Sequence, residues 1–249
     1  MAIYFLADVH LAENKPEITA NFLNTINCLG NKNPQAVFIL GDLFDYYLGD
    51  NFSNLYLDKI KLALKNLSLI CPSFLIRGNR DFLIGEKFLQ ETGITLLSDR
   101  YIFELEEKII ILEHGDLLCT ADENYQKLRK ILRSKFLYKL STLTPFWLNK
   151  FVGKFLRKNS QKAKTKKKMQ NPKIVDVNLD ELNKIIKIIK NPENKQIILI
   201  HGHTHQAKNI ENNNYNRIVL GEWKPEGEVL EFNNGSFNLI NSQTVRTEQ

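Results

Sequence analysis

Three cysteines in 249 residues, Cys28, Cys71 and Cys119, are odd in number, far apart and outside any CxxC spacing. That scarcity excludes a disulfide framework and a zinc knuckle and points to a reducing cytoplasm. No uninterrupted apolar run approaches the ~20 residues that span a bilayer, because Lys139, Pro145, Lys150 and Lys154 break the one candidate region. The opening MAIYFLADVH has no basic leader and meets Asp8 after a short apolar run, so it reads as a strand and not as a signal peptide. Internal repeats are also lacking. Acidic residues are missing from Asn124 to Met169, a segment with 15 Lys and Arg, so the rest of the chain holds 19 basic residues (34 − 15) against 28 acidic. The net charge of +6 is therefore a local basic block on a chain that is otherwise −9. Such a block suits a solvated face, a nucleic-acid patch or a membrane-surface element.

What is present is ample for a core, since 43% of the residues are apolar in a length that fits one large domain or a domain with an insertion. Short β-branched runs at Ile3 to Ala7, Ala36 to Leu40, Phe74 to Arg77, Ile109 to Leu112 and Gln196 to Ile200 alternate with helical patterns near Glu17 to Cys28, Leu55 to Leu67 and Gly85 to Thr92. This alternation predicts β-α-β units with buried strands. From Arg217 to Ile240 the pattern becomes short strands with turns at Pro225 to Gly227 and Asn234-Gly235, the second a hairpin signal. The fold class that follows is a layered α/β sandwich. Between His114 and His201, apolar residues Tyr125, Leu128, Ile131, Leu132, Phe136 and Leu140, then Phe146, Trp147, Phe151, Val152 and Phe155 after Pro145, predict an inserted cap of two amphipathic helices. We place the cap at residues 121–170 and the core at 1–120 and 171–249.

Each of the five histidines ends an apolar run, in FLADVHLAE, IIILEHGD and IILIHGHTH, and the segments VFILGDLFD and FLIRGNRD lie between them with the same shape. Strand ends are where ligand-binding loops collect in α/β folds, and imidazole is the commonest metal ligand. Asp8 and His10, two apart in an extended segment, would project to one side. Asp42 offers two carboxylate oxygens, Asn79 a neutral amide oxygen, and His114, His203 and His205 further nitrogens. Seven mixed N/O donors exceed one ion and suit two borderline divalent metals, manganese above all, with iron, cobalt or zinc as alternatives. Two metals about 3.5–4 Å apart clamp a phosphoryl group for in-line displacement, so the constellation argues for phosphoester hydrolysis.

In order and spacing DVH, GDLFD, GNRD, HGD and GHTH resemble the calcineurin-like metallophosphoesterase superfamily, whose α-β-β-α sandwich the resemblance implies. FLADVHL, ILGDLFD, RGNRDFLIG, HGDLLCTAD, the basic insertion, LIHGHTH and VLGEW are similar over nearly the whole chain to the subgroup that cleaves UDP-2,3-diacylglucosamine in lipid A synthesis. Many superfamily members have a histidine after the GN of this motif where this chain has Arg80, and arginine cannot act as a general acid but its fork suits phosphate. The resemblance implies a peripheral hydrolase at the cytoplasmic face of the bacterial inner membrane, yielding 2,3-diacylglucosamine 1-phosphate and UMP with two Mn²⁺. It implies Asp8, His10 and His205 on one ion, Asn79, His114 and His203 on the other, Asp42 bridging, and Asp42, Asn79 and Arg80 in catalysis. It also implies substrate contacts at Asn79, Arg80, Asp122, Ser160, Lys164, Lys167 and His203, with Tyr125 and Arg157 beside them, and Lys166 or Lys168 as alternatives to Lys167.

His201 is expected to lie outside the ligand set, either as a strand-end residue or orienting a ligand from behind, and Asp45 either to support a ligand histidine or to stabilise its turn. A monomer that binds no nucleic acid is expected. The rivals are a metallophosphoesterase acting on nucleic acid or cyclic nucleotides, which the basic segment would also fit, and a non-enzymic membrane-binding module on the same scaffold. Phe146, Trp147, Phe151 and Phe155 suit acyl chains better than stacked bases, and no metal-ligand position of the pattern is missing.

Overall fold

Strands that are apolar without alternation need cover on both faces, and the computed structural model, which describes residues 1–120, 123–134, 177–212 and 214–247, shows what covers them. One sheet has six strands in the order β11-β10-β1-β2-β3-β4, and the other has five in the order β5-β6-β7-β9-β8. In the first, β1 (Ile3–Leu6), β2 (Ala36–Leu40), β3 (Ser73–Ile76) and β4 (Thr95–Leu96) run parallel, and β10 (Glu228–Asn233) and β11 (Ser236–Asn241) add an antiparallel hairpin beside β1. In the second, β6 (Lys108–Glu113), β7 (Gln196–His201) and β9 (Asn216–Val219) are parallel, flanked by antiparallel β5 (Arg100–Leu105) and β8 (Lys208–Glu211).

The two sheets bury Ile3, Phe5, Phe38 and Leu40 of one against Ile110, Leu112, Ile198 and Ile200 of the other. Alternate residues of the same strands face outward. Tyr4, Leu6, Val37 and Ile39 pack with Phe22 and Ile26 of α1 (Pro16–Asn31), Ile60 and Leu64 of α2 (Leu55–Ile70) and Phe88 of α3 (Glu86–Thr92). On the far side Ile109, Ile111, Ile197 and Leu199 pack with Leu182 and Ile185 of a helix at Leu179–Ile188. The layers are thus α-β-β-α, as expected. The strand runs, the three helices before residue 93 and the Asn234-Gly235 hairpin all stand where the sequence puts them, within a few residues. Strands β4, β5 and β8 and the helix at Leu179–Ile188 were not among the expected elements. α4 (Glu123–Leu132) covers the first part of the helical pattern expected from Tyr125 to Leu140; the rest of it and the helical pattern after Pro145 lie outside the described residues.

Parallel strands put the segments that follow them at one end of the sandwich. The loops after β1, β2, β3, β6 and β7 therefore meet, and those loops carry Asp8, Asp42, Asn79, His114 and His203. The loop after β2 is long and held by a polar anchor. Asp50, only 4% exposed, accepts hydrogen bonds from the Tyr47 hydroxyl and the Gly85 amide at 3.0 Å each and from the Lys87 amide at 3.0 Å. It caps α3 from another loop, because Gly85 at the N-cap has no side chain to do so. Asp50→Ala leaves these donors buried without an acceptor, and urea unfolding should show a loss of about 2 kcal/mol or more.

Candidate metal centre

Five of the seven expected donor residues have backbones in the left-handed region: Asp8 (φ 52°), His10 (54°), Asp42 (50°), His203 (69°) and His205 (61°). Aspartate and histidine tolerate that region better than most side chains, yet it costs of order 1 kcal/mol or more at each position and collects at functional sites. The segment carrying Asp8 and His10 is therefore not extended, contrary to the sequence expectation. It is zipped to the next loop by Asp8 N–H to the Gly41 carbonyl (3.1 Å), His10 N–H to the Asp42 carbonyl (3.0 Å) and Leu11 N–H to the Leu43 carbonyl (2.9 Å). Val9 between them is buried in the helix-side core, and the two polar side chains turn to the site.

Asp8, His10 and His205 form one group of donors. His10 Nε2 and His205 Nε2 are 3.3 Å apart, and Asp8 Oδ1 is 3.8 Å from the first and 3.5 Å from the second. A second group forms around Asn79 Oδ1, which lies 3.1 Å from His114 Nε2 and 3.0 Å from His203 Nδ1. Those nitrogens are 3.3 Å from each other, and Asp42 Oδ1 is 3.6 Å from His114 Nε2. Asp42 Oδ2 lies 3.9 Å from His10 Nδ1, so Asp42 stands between the groups. Asp8 is within reach of both, since its carboxylate also clusters with Asp42 and His114.

The chemistry of this donor set fits divalent cations. His114 Nδ1 sits 2.9 Å from the Leu40 carbonyl, which can only accept, so the proton belongs on Nδ1 and the Nε2 lone pair faces the site. Burial, together with Arg80, holds the His10 pKa far below its ordinary value, and burial lowers that of His114. Both rings are neutral donors at neutral pH. Burial raises the Asp42 carboxyl to about 6 against the opposing pull of Arg80. Arg80 is set against this buried cluster of carboxylates and lone pairs on its Asp42 side, and divalent cations would supply the further compensating charge.

Two glycines of the motifs are explained by crowding. A Cβ on Gly78 would lie 2.1 Å from Asp42 Oδ1, and one on Gly202 would lie 2.2 Å from Asp8 Oδ2. Asp81 of GNRD braces the same place, accepting from Gly78 N–H at 2.6 Å and Leu43 N–H at 2.7 Å. Arg80 gives its backbone N–H to Asp42 Oδ1 (2.9 Å), while its guanidinium is 2.5 Å from Asp45 Oδ1 and 3.5 Å from Asp42 Oδ2. Asp45 thus holds the guanidinium, with Lys15 3.8 Å away. His201 is buried, its Nδ1 2.8 Å from the Gly202 carbonyl, and belongs to neither donor group.

Two residues beyond the expected set shape the site. Glu222 Oε2 is 3.3 Å from His205 Nδ1, so it orients the ring whose Nε2 faces Asp8, and that hydrogen bond helps hold its carboxyl down to about 2. VLGEW was its sequence signal. Asp116, of HGD, is buried and accepts from the Tyr125 hydroxyl (2.8 Å), Arg129 Nε (2.8 Å) and Arg133 Nη2 (3.3 Å). Although burial opposes it, Arg133, His114 and Arg129 hold the Asp116 carboxyl well below the usual range. Tyr125 therefore directs its hydroxyl to Asp116 and not to open space, with its ring stacked 6.4 Å from that of His203. Asp122, Arg157, Ser160, Lys164 and Lys167 lie outside the described residues.

The chain is similar to known proteins in sequence and in fold. The model of the calcineurin-like phosphoesterase family matches residues 1–207. A UDP-2,3-diacylglucosamine hydrolase of Haemophilus ducreyi is 39% identical over 96% of this chain and 100% of its own, and one of Vibrio parahaemolyticus is 36% identical over 97% and 98%. A dimetal phosphatase of Danio rerio superposes with a TM-score of 0.51 at 10% identity, covering 97% of this chain and 95% of its own, which shows the common fold. With the strand-end donors, the layered sheets and these relatives in agreement, the chain belongs to the calcineurin-like phosphoesterases, in the family of the UDP-2,3-diacylglucosamine hydrolases.

Proposed function

We propose that the chain hydrolyses the pyrophosphate of UDP-2,3-diacylglucosamine, with water attacking the UMP-side phosphorus and the bond to the bridging oxygen breaking, so that UMP and 2,3-diacylglucosamine 1-phosphate leave. The observation that carries this reading is the placement of Arg80 beside the two donor groups in a chain similar over nearly its full length to hydrolases of that name. Asp8, His10 and His205 are assigned to one Mn²⁺, Asn79, His114 and His203 to a second, and Asp42 to both. Such a pair supplies Lewis-acid activation of water and neutralises phosphoryl charge.

The protein's own residues do the rest. Asp45 holds one edge of the Arg80 guanidinium, leaving its remaining N–H donors for a phosphate. Asn79 and His203 share their place between metal and substrate. The insertion, residues 121–170, is assigned to the acyl chains and the lipid surface. α4 supports this, since Leu128 and Ile131 are 40% and 61% exposed on a helix that also carries the exposed Lys127 and Lys130. Asp122, Arg157, Ser160, Lys164 and Lys167 are assigned to the substrate on its basic side. Among the described residues no helix is long and apolar enough to cross a membrane, which is compatible with peripheral attachment to the cytoplasmic face of the inner membrane. A monomer that does not bind nucleic acid completes the reading.

Purified protein with Mn²⁺ should release UMP and the lipid monophosphate in detergent, with ¹⁸O from labelled water found in UMP, and Asp42→Ala should abolish turnover. Rapid cleavage of a simple phosphodiester with none of the lipid substrate would reject the assignment. Because the cation-free Asp42 carboxyl sits at about 6, it binds a proton below that pH and the proton competes with the cation. Mn²⁺ affinity should therefore be flat above pH 7 and fall about tenfold per pH unit below 6; calorimetry in buffers of different ionisation enthalpy should detect the released proton.

A further inference from the structure

The contacts of α4 fall on three of the loops that form the site, and those three carry Asn79, His114 and His203. Arg133, one residue past the helix, donates through Nη2 to the carbonyls of Arg77 (3.0 Å) and Gly78 (3.1 Å), the two residues that lead into Asn79. The same nitrogen reaches Asp116, two residues after His114, and Nη1 bonds Asp99. Arg129 joins Asp116 to Asp99 as well, at 2.8 and 2.6 Å, and Gln126 Nε2 donates to the Asp116 carbonyl at 2.8 Å. Tyr125 completes the set with its ring against His203. The Arg133 side chain is nearly enclosed, at 13% exposure, between two carboxylates and two carbonyls.

Asp8, His10 and His205 are held by other means. The first two depend on the Gly41 and Asp42 carbonyls, and the third faces Glu222. The two donor groups thus rest on largely different supports, one internal to the sandwich core and one that reaches into α4, with the His203 N–H to Asp8 Oδ2 bond at 2.6 Å joining them.

We propose that Arg133 is a positioning residue for the group formed by Asn79, His114 and His203, and that through it the insertion governs occupancy of that cation site separately from its neighbour. One arm of the fork set against two successive carbonyls and Asp116, with the other arm tied to Asp99, fixes both the height and the tilt of the loop before Asn79. Loss of a group that supports a metal ligand from behind costs about 10–100-fold in affinity or activity. This rests on the metal assignments above but not on the identity of the substrate.

The test is Mn²⁺ binding alone, read by the electron paramagnetic resonance of free Mn²⁺, on the full chain without substrate. Wild-type protein should hold two ions; Arg133→Met should keep one at wild-type affinity and bind the other about 10–100-fold more weakly. Arg129→Met removes a comparable ion pair from the same carboxylate but touches neither the Arg77 nor the Gly78 carbonyl, and should weaken the second ion far less. Millimolar guanidinium should restore the second ion to Arg133→Met, which a general loss of stability would not allow. If Arg133→Met does not fold, Arg133→Lys, which keeps the charge but not the fork, is read in the same way. Two ions at wild-type affinity, equal weakening of both, or equal effects of Arg129→Met and Arg133→Met would overturn the proposal. Wild-type protein that binds two ions yet leaves UDP-2,3-diacylglucosamine intact would reject the substrate and leave the role of Arg133 standing.

Discussion

Burial of the Asp42 carboxylate is the constraint around which the other parts are arranged. One of its oxygens accepts the Arg80 amide and faces His114, and the other faces the Arg80 guanidinium and His10. Nothing larger than a hydrogen atom fits between it and the Gly78 backbone. Moving this group into the interior is expensive unless charge accompanies it. The left-handed backbones of Asp42 and its neighbours, the two motif glycines and the Asp81 brace are all consequences of bringing several loops to one anion. The sandwich provides the stiffness to hold them, since every loop begins at the end of a strand buried on both faces.

Much of this was legible in the amino-acid pattern because strand-end loops are local in sequence. The runs before Asp8, Asp42, Asn79, His114 and His203 announce buried strands by their lack of alternation, and the donor types announce the chemistry. The helix at Leu179–Ile188 had a legible cap in Asn178 and a three-to-four-residue apolar spacing, but it was overshadowed by the basic segment before it. β8 offered no signal, as all four of its residues are exposed.

Other features were hidden because they are not local. The positive φ values cannot be read from residue types that occupy the right-handed region equally well. Asp116, Arg129 and Arg133 look like ordinary members of a charged stretch until folding brings Asp116 and Arg133, 17 positions apart, to the two sides of one ion pair. Asp45 could have served a histidine or a turn; in the structure it holds Arg80, a partner 35 residues away. Glu222 is separated from Asp8 by nearly the whole chain, and the parallel pairing of β7 with β9 sets it beside His205.

Arg80 also sets a limit on which bonds the site is suited to break. In the proposed reaction the guanidinium, already held by Asp45, has no proton to give at any physiological pH, so an oxygen departing on its side would leave as an anion. A sugar or nucleoside hydroxyl is a poor leaving group without protonation. A phosphate ester is a good one, since its last proton is lost near pH 6 and its charge matches the fork that receives it. The replacement of an acid by a permanent cation therefore acts as a filter on leaving-group acidity, favouring the anhydride link between two phosphates over an ester link to an alcohol.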